Sequence, residues 1–155
     1  MAASGTRIGP GKVDLQLPPD SEAPARARAA VRDILGAAET GSSAAPGSPS
    51  GSVLLLVSEV VTNAVLHCDK GASAAPLRLT AGIEGEAIHV AVTDSGHGFP
   101  DDAKQFAGGY GPFLLQKLAT RWGVEPAQAP ATSSTVWFEL SLREPPPAAE
   151  APTGQ

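Results

Sequence analysis

The chain reads as an α+β domain: a two-layer sandwich with a mixed, mostly antiparallel sheet and about three helices on one face. Three observations predict it. Apolar residues alternate in short runs at 12–17, 77–83, 88–92 and 135–142, the period of half-buried strands. Two helical patterns, 24–38 and 53–68, follow one another directly, so strands meet as hairpins rather than through strand–helix–strand crossovers. A length of 155 residues suits one domain with one core.

Residues 1–11 show no periodicity and are expected to be disordered. In K12-V-D-L-Q-L17, Val13, Leu15 and Leu17 share one face of a strand. P18-P-D-S-E-A-P24 stops it and starts a helix, with Asp20 or Ser21 as cap and Pro24 in the first turn. The helix runs to about Ala38 and buries Ala27, Ala30, Val31, Ile34 and Leu35. The low-complexity stretch 41–51 is expected to be a mobile loop. Ser52 then caps a helix from Val53 to about Cys68. A hairpin follows, with strands around Leu77–Ile83 and Ile88–Val92 joined at E84-G-E86. The segment 94–111 is glycine-rich and aperiodic. Pro112 opens a third helix, carried by Phe113, Leu114, Leu115 and Leu118. R121-W-G-V-E125 and T135-V-W-F-E-L-S-L142 are strands, the second with Val136, Phe138, Leu140 and Leu142 on one face. The folded domain is therefore expected over 12–143, with a disordered tail at 144–155.

Composition narrows the function classes. Net charge is -5 and there is no Lys/Arg run, which argues against direct nucleic-acid binding. The longest apolar run, Val53–Val57, is too short for a membrane span, and the N-terminus lacks a signal-peptide pattern. A single cysteine, Cys68, excludes an internal disulfide and suits a cytoplasmic location.

The helix 53–68 carries the first chemical signal. Glu59, Asn63 and His67 stand at i, i+4 and i+8, a slowly drifting polar stripe on a helix whose flanks are apolar. One reading is a solvated ridge. Another is a metal stripe, but the spacing is not that of a zinc helix and no His/Cys cluster completes a shell. An Asn amide oxygen, phosphate oxygens and waters would suit Mg²⁺, and a neighbouring Glu could orient or deprotonate a nucleophile.

The second signal is T93-D-S-G-H-G98. Asp94 closes an apolar strand, and a carboxylate there can accept from an amine. Gly96 and Gly98 permit close backbone approach to a flat ligand, though the same residues make an ordinary turn. A third signal, G108-G-Y-G111 ahead of a helix, can receive phosphates at the helix N-terminus or serve as a plain connection. The chain has no P-loop and no dinucleotide fingerprint.

Taken in order, S58-E59-V-V-T-N63-A-V-L-H67, D94-S-G96-H-G98, G109-Y-G111, L118-A-T-R-W-G-V124 and S134-T135-V-W-F-E-L140 resemble the motifs of the GHKL superfamily of ATP-binding domains, over about residues 12–142. Within it the chain is similar to the small anti-sigma-factor serine kinases of actinobacteria. The resemblance implies a histidine-kinase-like ATPase fold with ATP and Mg²⁺ as cofactors. It implies that Glu59 is the general base or nucleophile-orienting group, Asn63 the Mg²⁺ ligand and Asp94 the adenine-amine acceptor. Gly96 and Gly98 would line the adenine pocket, Gly109 and Gly111 the phosphate lid, and Thr135 would bring a hydroxyl near the adenine. His67 would pack or bond to Asn63, or touch nucleotide directly.

The partners implied are a sigma factor and a small anti-sigma-factor antagonist; members of the group often pair as homodimers. Two departures stand out. Relatives often read Gly-Arg-Gly-Leu at the lid, where this chain reads Gly109, Tyr110, Gly111, Pro112. A basic residue common before the histidine is Leu66 here. These departures bear on turnover, so a non-catalytic ATP-binding module acting by protein contact is the competing reading. A histidine kinase would need phosphoacceptor helices ahead of a first helix that already begins near Ser21.

Overall fold

The computed structural model describes residues 4–9, 11–38, 48–67, 76–94, 111–125 and 134–143. Its elements are β1 (Ser4–Gly9), β2 (Lys12–Leu17), α1 (Ala23–Ala38), α2 (Pro49–His67), β3 (Leu77–Glu84), β4 (Ala87–Asp94), α3 (Gly111–Leu118), β5 (Arg121–Glu125) and β6 (Ser134–Ser141). The six strands form one sheet in the order β1-β2-β3-β4-β6-β5. Each of the five pairings is antiparallel, so the sheet is more uniform than the mixed one expected. The predicted α+β architecture stands.

Register explains why the sheet has an inside and an outside. Leu79 faces Val92 and Ala81 faces Val90 across β3–β4. Val90 faces Phe138, Val92 faces Val136 and Ile88 faces Leu140 across β4–β6. With Leu17 and Leu77 these side chains are buried. They pack under Ala27, Val31 and Ile34 of α1 and Val53, Leu56, Val57, Val60 and Val61 of α2. Period 2 in the strands and period 3.6 in the helices thus meet in one apolar layer. α1 packs on β2 and β3, α2 on β4 and β6, and α3 on α2 and β5.

Local chemistry sets the element ends. Asp20 caps α1: its Oδ1 accepts from the Glu22 amide at 2.9 Å, and Arg26 ties Glu22 (2.8 Å) and Asp20 (3.5 Å) across the first turn. The β3–β4 hairpin turns at Gly85, whose φ of +61° suits the first central position of a type II′ turn.

Three expectations need correction. Ser4–Gly9 is not disordered but a strand, paired with β2 from Ser4–Gln16 to Gly9–Lys12. S-G-T-R-I-G has no alternation to announce it; the edge of β2 supplies its pairing. The expected loop 41–51 ends earlier, because α2 begins at Pro49. Ser48 rather than Ser52 is the cap, its Oγ accepting from the Gly51 amide at 3.0 Å, with proline at the first helical position. Finally, Pro49–Leu66 is long and apolar enough on average to cross a bilayer, although half of it is buried in the domain. Counting only the unbroken run Val53–Val57 missed this, because isolated polar residues such as Ser58 and Glu59 barely lower the average. α2 is the central core helix, with Val53, Leu56, Val57, Val61 and Ala64 fully buried. The expectations for 1–3, 39–47, 68–75, most of 94–111 and 144–155 fall outside the described residues.

Candidate functional site

Among the described residues the buried layer is apolar except for Ser50, Asn63 and Asp94. Asn63 is 3% exposed and Asp94 is 1% exposed. The packing of an apolar core asks for neither an amide nor a carboxylate. Both therefore point to a role beyond the fold.

Asn63 lies on α2 where the buried face meets the half-exposed flank. Its Nδ2 donates to the backbone oxygen of Glu59, one turn earlier, at 3.0 Å. Because the amide nitrogen bonds to its own helix, the carbonyl Oδ1 turns away from that backbone. This is the orientation that a hard cation would require. Glu59 is half-buried and sits about 40° around the helix from Asn63 toward solvent, by helical spacing. Glu59 is thus more open to solvent than Asn63.

Asp94 ends β4. Ile88, Val90, Val92 and Asp94 alternate onto the buried face, so the carboxylate lies in the layer between sheet and helices. α2 packs on β4, and α3 packs on α2. The structure thus brings Glu59, Asn63 and Asp94 onto two packed elements, with the start of α3 on a third. Gly111 is the first residue of α3 and Pro112 the second. His67 is the last residue of α2, and its side chain lies outside the described set. Gly96, Gly98 and Gly109 also lie outside it.

Thr135 is not brought to this layer. It pairs with Thr93 in register, and the two Oγ1 atoms are 2.8 Å apart and hydrogen-bonded. Both therefore sit on the face opposite Asp94. The register partner of Asp94 is Ser134. The parity of Thr135 was readable in the sequence: if Val136, Phe138 and Leu140 share the core face, alternation assigns Thr135 to the other.

The open face of the sheet offers a different surface. A hollow lined by Lys12, Gly82, Glu84, His89, Arg121 and Glu139 lies there, and none of the predicted site residues lines it. It holds the cross-strand pairs Arg121–Glu139 (2.5 Å) and His89–Glu139 (3.6 Å). No group of three or more His, Cys, Asp or Glu side chains able to hold a metal ion occurs among the described residues.

The donor set fits Mg-nucleotide. A buried acceptor carboxylate suits the exocyclic amine of adenine, and a buried amide oxygen beside a reachable carboxylate suits a cation bound through phosphates. No curated protein matches the chain. Residues 17–134 match the family described as the histidine kinase-like ATPase domain. That span runs from the end of β2 to the start of β6 and contains Glu59, Asn63 and Asp94. The match implies ATP binding, and it agrees with the antiparallel sheet, the helices on one face and the polar residues between them. The chain belongs to the histidine kinase-like ATPase domain family.

Proposed function

We propose that the protein is a cytoplasmic ATP- and Mg²⁺-dependent serine/threonine kinase that regulates transcription as an anti-sigma factor, phosphorylating a small antagonist protein. The observation that carries this reading is the side-by-side placement of half-exposed Glu59 and buried Asn63 on α2, with the Asn63 amide nitrogen held by the Glu59 carbonyl. Asp94 would hold the adenine amine. Asn63 would hold Mg²⁺ through Oδ1, the cation neutralising charge on the phosphates. Glu59 would take the proton of the acceptor hydroxyl as its oxygen bonds to the γ-phosphorus and the bond to the ADP oxygen breaks. The sigma factor would be held until unphosphorylated antagonist displaces it, and phosphorylation would reset the switch. A homodimer fits the same scheme.

The test is transfer of label from [γ-³²P]ATP to the antagonist, alongside calorimetric titration with Mg-ATP. Glu59→Ala is expected to abolish transfer while leaving nucleotide affinity within about twofold. Full phosphorylation by Glu59→Ala would refute the role given to Glu59. A second reading, a non-catalytic ATP-binding module acting by contact alone, draws on Pro112. Placed in the first turn of α3, it removes one amide from a helix end that could otherwise donate to phosphate. Mg-ATP binding without transfer by the unaltered protein would favour that module.

A further inference from the structure

Among the described residues the exposed large apolar side chains are Leu55 and Leu66, 44% and 55% exposed. A scattered exposed leucine needs no explanation, but these two share a line. With exposed Thr62 they span an arc of about 40° on α2, at 100° per residue. Along the helix they are about 16 Å apart, at 1.5 Å per residue. Glu59 borders this stripe on one flank, about 40° from Leu55, and Asn63 lies about 80° from it, at the edge of the core. On the other flank Arg28 of α1 donates from Nη1 to Ser58 Oγ at 2.6 Å, which fixes a cation beside the stripe.

From this arrangement we infer that the outer stripe of α2 docks the phosphoacceptor protein. Leu55 and Leu66 anchor an apolar surface around its acceptor serine or threonine, and Arg28 faces a carboxylate on it. The inference rests on the kinase reading, since it takes Glu59 as the group that meets the acceptor hydroxyl. A hydroxyl carried by a protein can reach Glu59 only if the protein covers the surface beside it. Leu55 and Leu66 lie one turn before and nearly two turns after Glu59, so a segment seated on both is centred near that carboxylate. Two apolar anchors next to a reactive group would supply affinity for the acceptor.

The experiment begins with full-length protein, Mg²⁺ and [γ-³²P]ATP in native extract. The protein labelled by the unaltered chain but not by Glu59→Ala is purified and used as acceptor. Leu55→Asp and Leu66→Asp are each expected to raise KM for the acceptor about tenfold, with kcat and Mg-ATP affinity unchanged. The Leu55→Ala/Leu66→Ala double variant, which keeps helix propensity, should shift KM in the same direction if either aspartate variant folds poorly. Gln16→Asp, on the open face of the sheet, should leave KM unchanged. Acceptor KM within twofold of the unaltered value in the leucine variants overturns the docking surface and leaves the kinase reading standing. Dissociation of a dimer of the chain by Leu55→Asp in sedimentation also overturns it, since a second copy would then cover the stripe. If no protein is labelled, the kinase reading fails and the docking surface with it.

Discussion

The two faces of the sheet are built from the same strands, yet they obey different rules. Phe138 and Trp137 are adjacent in β6. Phe138 is fully buried under the helices, facing Val90 and Trp122 in register. Trp137 lies on the open face, stacked on His89 with ring centres 5.5 Å apart and planes 7° apart. The helix-covered face is stabilised by exclusion of water from apolar surface. The open face is held by side-chain pairs: the Trp137–His89 stack, Arg121–Glu139, and Arg78–Asp14. A carboxylate on the open face is ordinary. Asp94, the same chemical group in the covered layer, signals a site.

This contrast breaks first at Phe138. Phe138→Ala should cost about 3–5 kcal/mol, because it removes a fully enclosed ring and leaves a cavity between sheet and helices. Urea unfolding monitored by circular dichroism measures it, and a loss below about 1 kcal/mol would mean that the layer is not close-packed there. Next comes Gly123, beside Trp137. A Cβ at Gly123 would come within 2.9 Å of Trp137 Nε1, so the indole must shift. Gly123→Ala should cost about 1–3 kcal/mol and disturb the Trp137–His89 stack, visible in near-UV dichroism. An unchanged spectrum would show that the open face packs less tightly than its geometry indicates.

The smallest effect belongs to Asp14. The Arg78 guanidinium, bonded through Nε (3.1 Å) and Nη2 (2.6 Å), lowers the Asp14 pKa below its ordinary value of 3.8. A carboxyl whose folded pKa is depressed contributes stability that is full above its unfolded pKa and is lost as pH falls through the folded one. The pair is surface-placed, so its contribution is small. Asp14→Asn should be slightly less stable near neutral pH and should show a shallower fall in stability below about pH 4. An acid limb unchanged by Asp14→Asn would remove the Arg78 pair from the account of the open face.

Much of this was legible beforehand, and the misses have physical causes. Helix α1, the β3–β4 hairpin and strands β5 and β6 follow from periodicity and turn chemistry. Strand β1 did not, because Ser4–Gly9 lacks a pattern of its own. The start of α2 is obscured in the sequence because Ser48 and Pro49 lie in a stretch whose serines, glycines and prolines read as loop. Their cap-and-proline order was the signal to weigh. Motif likeness places Thr135 near the adenine, whereas the strand register pairs it with Thr93.

By itself the sequence determined the alternation, the helical stripes and the positions of Glu59, Asn63 and Asp94. Those depend on the residue's own type and its near neighbours, which local physics sets. Only the tertiary structure decided which carboxylates are buried and which way the Asn63 amide turns. It also decided that Leu55 and Leu66 remain exposed on the helix that carries the centre of the core. Burial and register are relations between distant segments, and they exist only once α2 has packed on β4 and β6 has paired with it.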